Sequence, residues 1–314
     1  MPELQGGGSS SARPTISAVI NTFNEAANLP YALRSLRPWV DEIVVVDMES
    51  TDATTEIARS FGATVLSHPN VGFADPAREF AVSHATGEWI LVLDADELVP
   101  PTLGRRLTSV ARANEADVVL IPRLNYLLGA PLRHTGWGPG QNRHPRFFRK
   151  GHMQFSDAIH AFMAPASGSR VLELPAEDAL CIVHFNYLDA AQFIDRLNRY
   201  TAIEARQALE RGKRLSRMGA VARSGWEFVR RFVVYQGFRD GWRGFYLAGL
   251  MAFYRLATAA KLAELEAGMG PDVAASLFQA EAERLLAASG DKGVIESTIV
   301  DAPSASGEGI VPDP

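Results

Sequence analysis

Between Thr15 and Pro122 the chain alternates in a way that few folds accept. Short apolar, largely β-branched runs stand at Ile16–Ile20, Ile43–Val46, Thr64–Leu66, Trp89–Leu93 and Val118–Ile121. Each is bounded by polar, Gly or Pro residues, as a fully buried strand should be. Helical patterns fill the gaps. Glu25 to Leu36 places Leu29, Leu33 and Leu36 on one face, and Asp52 can cap a helix through Phe61 that Gly62 ends. Strand alternating with helix predicts an α/β fold, a mostly parallel sheet with helices on both faces.

That topology assigns meaning to three polar clusters. Thr22-Phe23-Asn24-Glu25 follows the first strand, Asp47 the second, and Asp94-Ala95-Asp96-Glu97 the fourth. In an open parallel sheet the carboxyl ends of the strands share one edge, where ligands bind. The clusters therefore converge on one cleft. Asp94, Asp96 and Glu97 offer hard oxygen ligands suited to Mg²⁺ or Mn²⁺. No G-x-G-x-x-G follows the first strand, so a dinucleotide fingerprint is missing.

Three segments carry a resemblance: Ala18-Val19-Ile20-Asn21-Thr22-Phe23-Asn24-Glu25, Val45-Val46-Asp47 with Ser50 and Asp52, and Ala85-x-Gly87-Glu88-Trp89 running on to Asp96-Glu97. In order and spacing they resemble glycosyltransferase family 2, over roughly residues 15–125. Later segments resemble a subgroup of bacterial enzymes that add sugars to the lipopolysaccharide core: Gly136-Trp137, Pro145 to Arg149, Ile159-His160, Val183-His184-Phe185, Asn198 to Thr201 and Gly237 to Gly241. The resemblance implies a GT-A fold with a C-terminal helical extension. It also implies inverting transfer from a nucleotide-sugar, a UDP-hexose above all, to a cell-envelope glycan or glycolipid.

Roles follow residue by residue from that resemblance. Phe23 stands where a ring stacks on the base, and Thr22, Asn24 and Glu25 belong to the same nucleotide-binding turn. Asp47 would accept the N3–H of uracil, and Arg78 would lie near the nucleotide. Asp94 would approach ribose and metal, Asp96 would ligate the metal, and His160 would complete the metal–diphosphate site. The subgroup often has a glutamate after that histidine, where this chain has Ala161. Asp157 is the nearest substitute for the base that must reach the acceptor hydroxyl.

From Arg123 to Arg149 the periodicity is lost and Gly, Pro, Arg, His and Trp dominate, which reads as a binding loop. Trp137 is a candidate platform for a sugar ring, and Arg143, Arg146 and Arg149 are candidates for diphosphate or an anionic acceptor. After Leu188 helices return, with Phe193, Ile194, Leu197, Thr201, Ala205 and Ala208 on one face. Trp226 to Lys261 mixes Arg with Trp, Phe and Tyr. This suits either peripheral contact with anionic lipid or packing on the catalytic domain or a second protomer.

The expected organisation is a flexible leader at 1–14, a catalytic domain at 15–188 with halves 15–122 and 123–188, a helical region at 189–290 and a disordered tail at 291–314. The net charge of −5 argues against a nucleic-acid partner. A single cysteine, Cys181, precludes a disulfide framework within the chain. No signal peptide or 20-residue apolar span is legible, so the expected location is cytoplasmic, on the inner face of the membrane if peripheral. Two other readings stay open. A sugar nucleotidyltransferase would carry a Gly-rich basic turn where Asn21 to Glu25 stands. A sugar-nucleotide or glycan-binding module without catalysis is kept open by Ala161.

Overall fold

The computed structural model describes residues 13–70, 75–155, 163–213 and 216–288. Twelve strands are found among them. They are β1 Ile16–Thr22, β2 Glu42–Asp47, β3 Thr64–Ser67, β4 Trp89–Asp94, β5 Glu97–Leu98, β6 Val118–Leu127, β7 Ala130–Pro131, β8 Arg143–Arg149, β9 Met153–Gln154, β10 Ala164–Pro165, β11 Val171–Glu173 and β12 Ile182–Tyr187. The main sheet runs β3-β2-β1-β4-β8-β6-β12-β5. From β3 to β4 it is parallel; β8 runs antiparallel to both β4 and β6. The expected α/β sheet is present, parallel in its N-terminal half and mixed beyond it.

Helices α1 Leu29–Leu36, α2 Thr54–Ser60, α3 Asp75–His84 and α4 Pro101–Ala113 cover the parallel half. Burial explains why each strand lacks an in/out polar alternation. Ile16, Ala18 and Ile20 of β1 and Trp89, Leu91 and Leu93 of β4 join one core cluster with residues of α1, α2 and α4. Val19, Ile90 and Val92 point to the other face and pack with Ala77, Ala81 and Val82 of α3. The expected cap is corrected: Ala53 holds the N-cap position of α2, and Asp52, one residue before it, accepts from the Thr54 N–H at 3.0 Å.

The stretch read as a loop, Arg123 to Arg149, is corrected. Its first residues extend β6 to Leu127, and its last seven form β8, a central strand. Phe147 and Phe148 hold it there, and Phe147 stacks on Trp89 at 4.7 Å. Pro145, which cannot donate to a ladder, sits at the register shift between Val119 and Leu120.

Helices α5 Ala190–Glu210, α6 Arg217–Val229, α7 Gly241–Glu266 and α8 Pro271–Ala288 follow the sheet. Phe193, Leu197, Thr201 and Ala205 of α5 are buried as their spacing predicts, whereas Ile194 is exposed. A π-turn at Arg230–Val234 and a 3₁₀ turn at Gly237–Asp240 link α6 to α7. Residues up to Ala263 form one compact unit with the sheet; α8 lies in a second.

Gly87 opens β4 at a close crossing. Its N–H donates to Ser17 Oγ at 2.8 Å, and an added Cβ would lie 2.7 Å from the Ser17 backbone N. Gly87→Ala should therefore destabilise the fold by about 1–3 kcal/mol. Urea unfolding monitored by tryptophan fluorescence measures this, and a loss below about 0.5 kcal/mol would contradict a rigid crossing.

Candidate active site

The strand ends meet as the topology requires. Thr22 pairs in register with Asp47, and Asn21 with Asp94. Two turns beyond β1 and β2 are laced together. The Asn24 N–H donates to Ser50 Oγ at 2.8 Å, and Asn24 Oδ1 accepts from the Thr51 N–H at 2.8 Å. The Glu25 N–H donates to Thr54 Oγ1 at 2.9 Å. Asn24 and Glu49 take left-handed backbone conformations, φ 53° and 65°, where these turns reverse. The Phe23 ring beside them is 40% exposed, free to meet a planar ligand.

Two atoms at this edge are conspicuous. Asp47 Oδ1 and Thr22 Oγ1 are buried without a hydrogen-bond partner among the described residues. Asp47 Oδ2, by contrast, accepts from the Ser50 N–H at 3.1 Å. A buried acceptor left unsatisfied costs about 1–3 kcal/mol, which a ligand N–H or hydroxyl would recover.

Asp94 closes β4 between two guanidinium groups. Arg78 Nη2 donates to Oδ1 at 2.7 Å and Arg146 Nη2 to Oδ2 at 2.8 Å. Burial works to raise the pKa of this carboxyl, but Arg146 and then Arg78 outweigh it and hold the pKa well below the ordinary range. Both Asp94 oxygens are therefore engaged by arginine. Glu97, grouped in the sequence with the metal carboxylates, is 1% exposed and closes the turn instead. It accepts from the Asp94 N–H at 2.9 Å and from Arg123 at 3.3 Å. Arg146 lies 3.6 Å from the same carboxylate.

Asp96 stands apart from that network. Its Oδ2 lies 3.4 Å from His184 Nε2, on the neighbouring strand β12. The other ring nitrogen, Nδ1, is 2.7 Å from Asn125 Oδ1. The orientation of that amide is set by its own Nδ2, which donates to the Trp137 carbonyl at 2.7 Å. Asn125 thus presents an acceptor that holds a proton on His184 Nδ1, and Nε2 is left to face the Asp96 carboxylate. Asp96 and His184 are both close to buried, with side-chain exposures of 11% and 9%. A carboxylate oxygen and an imidazole nitrogen at this distance suit a shared proton or cation. Glu25 is near enough to Asp96 to feel its charge. Burial, ahead of that charge, raises the Glu25 carboxyl pKa.

The remaining candidates divide. Asp157 and His160 lie outside the described residues. Trp137 is an anchor: its ring packs with Tyr187 and Phe193, both at 6.2 Å, in a third core cluster. Arg146 is buried on Asp94 rather than facing the cleft. Arg149 is a correction. It pairs in register with Trp89, at the opposite end of β4 from Asp94, and binds Glu88 at 3.0 Å. Five residue steps of strand, about 16 Å, separate it from the acidic edge. The sequence reading placed His184 in a segment of the resemblance but gave it no role, and it did not single out Asn125. Their signal was the polar pair facing across β6 and β12, visible only once the register His184↔Asn125 is known.

His144, at the edge of this charge network, has a consequence for stability. Burial first, then Arg123 and Arg146, push its pKa down to about 2. The unfolded chain takes up that proton near 6.5 while the folded chain does not. Stability therefore falls as pH drops below 6.5, by up to about 1.4 kcal/mol per unit from this group. His144→Gln should flatten the slope of unfolding free energy between about pH 6 and 4.5 by that amount, whatever its effect on absolute stability. An unchanged slope in urea titrations across that window would show that the folded protein protonates His144.

Residues 17–171 match the sequence model of Glycosyl transferase family 2. An uncharacterized glycosyltransferase of Rickettsia felis is 29% identical over 260 residues, covering 79% of this chain and 89% of its own. The lipopolysaccharide core biosynthesis glycosyltransferase LpsC of Rhizobium meliloti is 28% identical over 255 residues, covering 79% and 91%. Among solved structures, glucosyl-3-phosphoglycerate synthase of Mycobacterium tuberculosis with Mn²⁺, UDP and phosphoglyceric acid is 26% identical. That likeness spans 36% of this chain and 43% of the synthase, with a TM-score of 0.31. The chain belongs to glycosyl transferase family 2 and is a glycosyltransferase.

Proposed function

We propose that the chain transfers a hexose from a UDP-sugar to a cell-envelope glycan or glycolipid, with inversion and with help from a divalent cation. One observation carries the donor reading: the unsatisfied buried atoms Asp47 Oδ1 and Thr22 Oγ1 stand at the paired strand ends that the exposed Phe23 directly follows. An acceptor, a hydroxyl and a ring at one sheet edge fit a uracil N3–H, a polar group of the nucleotide and the face of the base. Arg78 and Arg146 hold Asp94 ionised at the same edge, where it can accept from a ribose hydroxyl.

Asp96 and His184 fit a cation. The set offers one carboxylate and one imidazole whose tautomer Asn125 fixes, and a bound diphosphate would complete the shell. An imidazole in the set favours Mn²⁺ over Mg²⁺, which prefers oxygen throughout. Such a cation would neutralise charge on the departing diphosphate. His184 joins the set beside Asp96, and His160 stays a candidate ligand on sequence position alone. The base that receives the acceptor proton is assigned to Asp157 on sequence position alone.

The decisive assay is UDP release from UDP-sugars with Mn²⁺ and a lipopolysaccharide-core acceptor. Asp96→Ala should lower turnover by at least about 100-fold. Binding supplies an independent readout. Asn125→Leu should weaken Mn²⁺ binding, followed by its electron paramagnetic resonance, by roughly 10- to 100-fold. Asp47→Ala should weaken UDP by about 10- to 100-fold in calorimetry, the worth of a lost hydrogen bond to a charged group. UDP and Mn²⁺ binding without turnover on any acceptor would leave a binding module. Pyrophosphate exchange with UTP would replace the reading by nucleotidyl transfer.

A further inference from the structure

From the start of α6 to the end of α7 the sequence holds eight Arg or Lys against four carboxylates, in a chain whose net charge is −5. Glu264 and Glu266 stand at the far end of α7, beyond Lys261, and neither of the other two carboxylates is available to a partner. Glu227 is buried under Arg230 and Arg231, at 2.6 Å from each. Asp240 accepts the backbone N–H groups of Arg133 and His134 at 3.0 and 2.9 Å. The surface left over is basic.

It is also apolar. Trp242, Tyr246, Phe253 and Leu256 recur at helical spacing along α7, and all four are exposed. Phe238 and Phe245 extend the stripe sideways, each within about 6 Å of Phe232 by ring centroid, at 6.3 and 5.7 Å. These rings are 49–56% exposed, far more than aromatic residues in a closed helical hairpin. Arg243 lies over the Trp242 ring at 4.5 Å. No described helix is long and apolar enough to cross a membrane.

We infer that the α6–α7 hairpin docks on the surface of an anionic lipid bilayer. Trp and Tyr are at home at the interface between headgroups and acyl chains, and arginine meets the lipid phosphates. A second copy of the chain fits less well. A two-fold interface would set this basic face against itself, and like charges would oppose each other. The docking face is tied to the catalytic edge. Arg231 donates to the Thr135 carbonyl at 2.7 Å and Arg243 to the Leu128 carbonyl at 3.0 Å. The loop they hold carries Trp137, whose carbonyl orients Asn125 and so His184. Only the choice of a lipid-borne acceptor rests on the proposed transfer; the docking itself does not.

The test is vesicle flotation of the full chain, read without turnover. Vesicles of phosphatidylcholine alone are compared with vesicles of phosphatidylcholine and phosphatidylglycerol at 7:3, in low and high salt. The expected result is at least tenfold stronger partitioning onto the anionic vesicles, lost in 0.5 M NaCl (an estimate from about 1 kcal/mol per surface cation). Arg223→Glu with Arg239→Glu should abolish the preference for anionic lipid. Trp242→Ser with Tyr246→Ser should weaken binding to both vesicle types. Thermal melts establish that the variants fold, and the wild-type lipid preference stands without them. Equal partitioning on both vesicle types overturns the inference, as does no binding at low salt. A dimer by light scattering that the Trp242 and Tyr246 changes dissolve, with no vesicle binding, assigns the face to self-association instead. UDP release from soluble acceptor measures transfer separately, so failure of one reading leaves the other standing.

Discussion

The structure depends on a half-buried carboxylate held between two arginines. Asp94 ends the parallel half of the sheet, and Arg146, one of its partners, belongs to the strand that begins the mixed half. The pair fastens β4 to β8 at the edge where the site is built, and Arg78 fastens the same carboxylate to α3. Removing one partner costs less than the roughly 3–5 kcal/mol of a fully buried pair, because Asp94 keeps some contact with water, but it still leaves the buried Arg146 short of its counter-charge. That energy acts on position as well as stability. The turn from Asp94 to Glu97 is pinned from three sides, by Arg78, Arg146 and Arg123. Asp96 is the member of the turn left facing another strand, and its direction is set by neighbours that are themselves immobilised.

The same constraint explains why the acidic motif reads so strongly in sequence yet divides in function. Its residues sit one after another, but a sharp turn sends them different ways. Asp94 is turned toward arginine, Glu97 into the core against a backbone N–H, and Asp96 toward His184. Chemical likeness along the chain is no guide to the direction in which a turn points each side chain.

Much of the parallel half was legible because its strands are buried on both faces and interrupted by helices. Periodicity then reports topology directly, and topology places Thr22, Asp47 and Asp94 side by side. The mixed half was not. Arg143 to Arg149 carries three arginines, a histidine and a proline, which in isolation describe a loop. What makes it a strand is long-range: Phe147 against Trp89, a bulge that absorbs Pro145, and Arg146 answered by Asp94. The site shows the same division. His184 and Asn125 are 59 residues apart and are joined only by the register of β6 and β12. Arg149 misled for the converse reason, since an antiparallel strand carries its two ends to opposite edges of the sheet.

A single amide joins the two sides of the cleft. Asn125 can present its oxygen to the imidazole only while its nitrogen faces the carbonyl of Trp137, since the group is planar and rotates as one body. The loop around Trp137 and the ring of His184 are thus governed by one rotor. Any occupant that steadied the loop would steady the ring, and by thermodynamic reciprocity any charge held at the ring would return the same free energy to the loop.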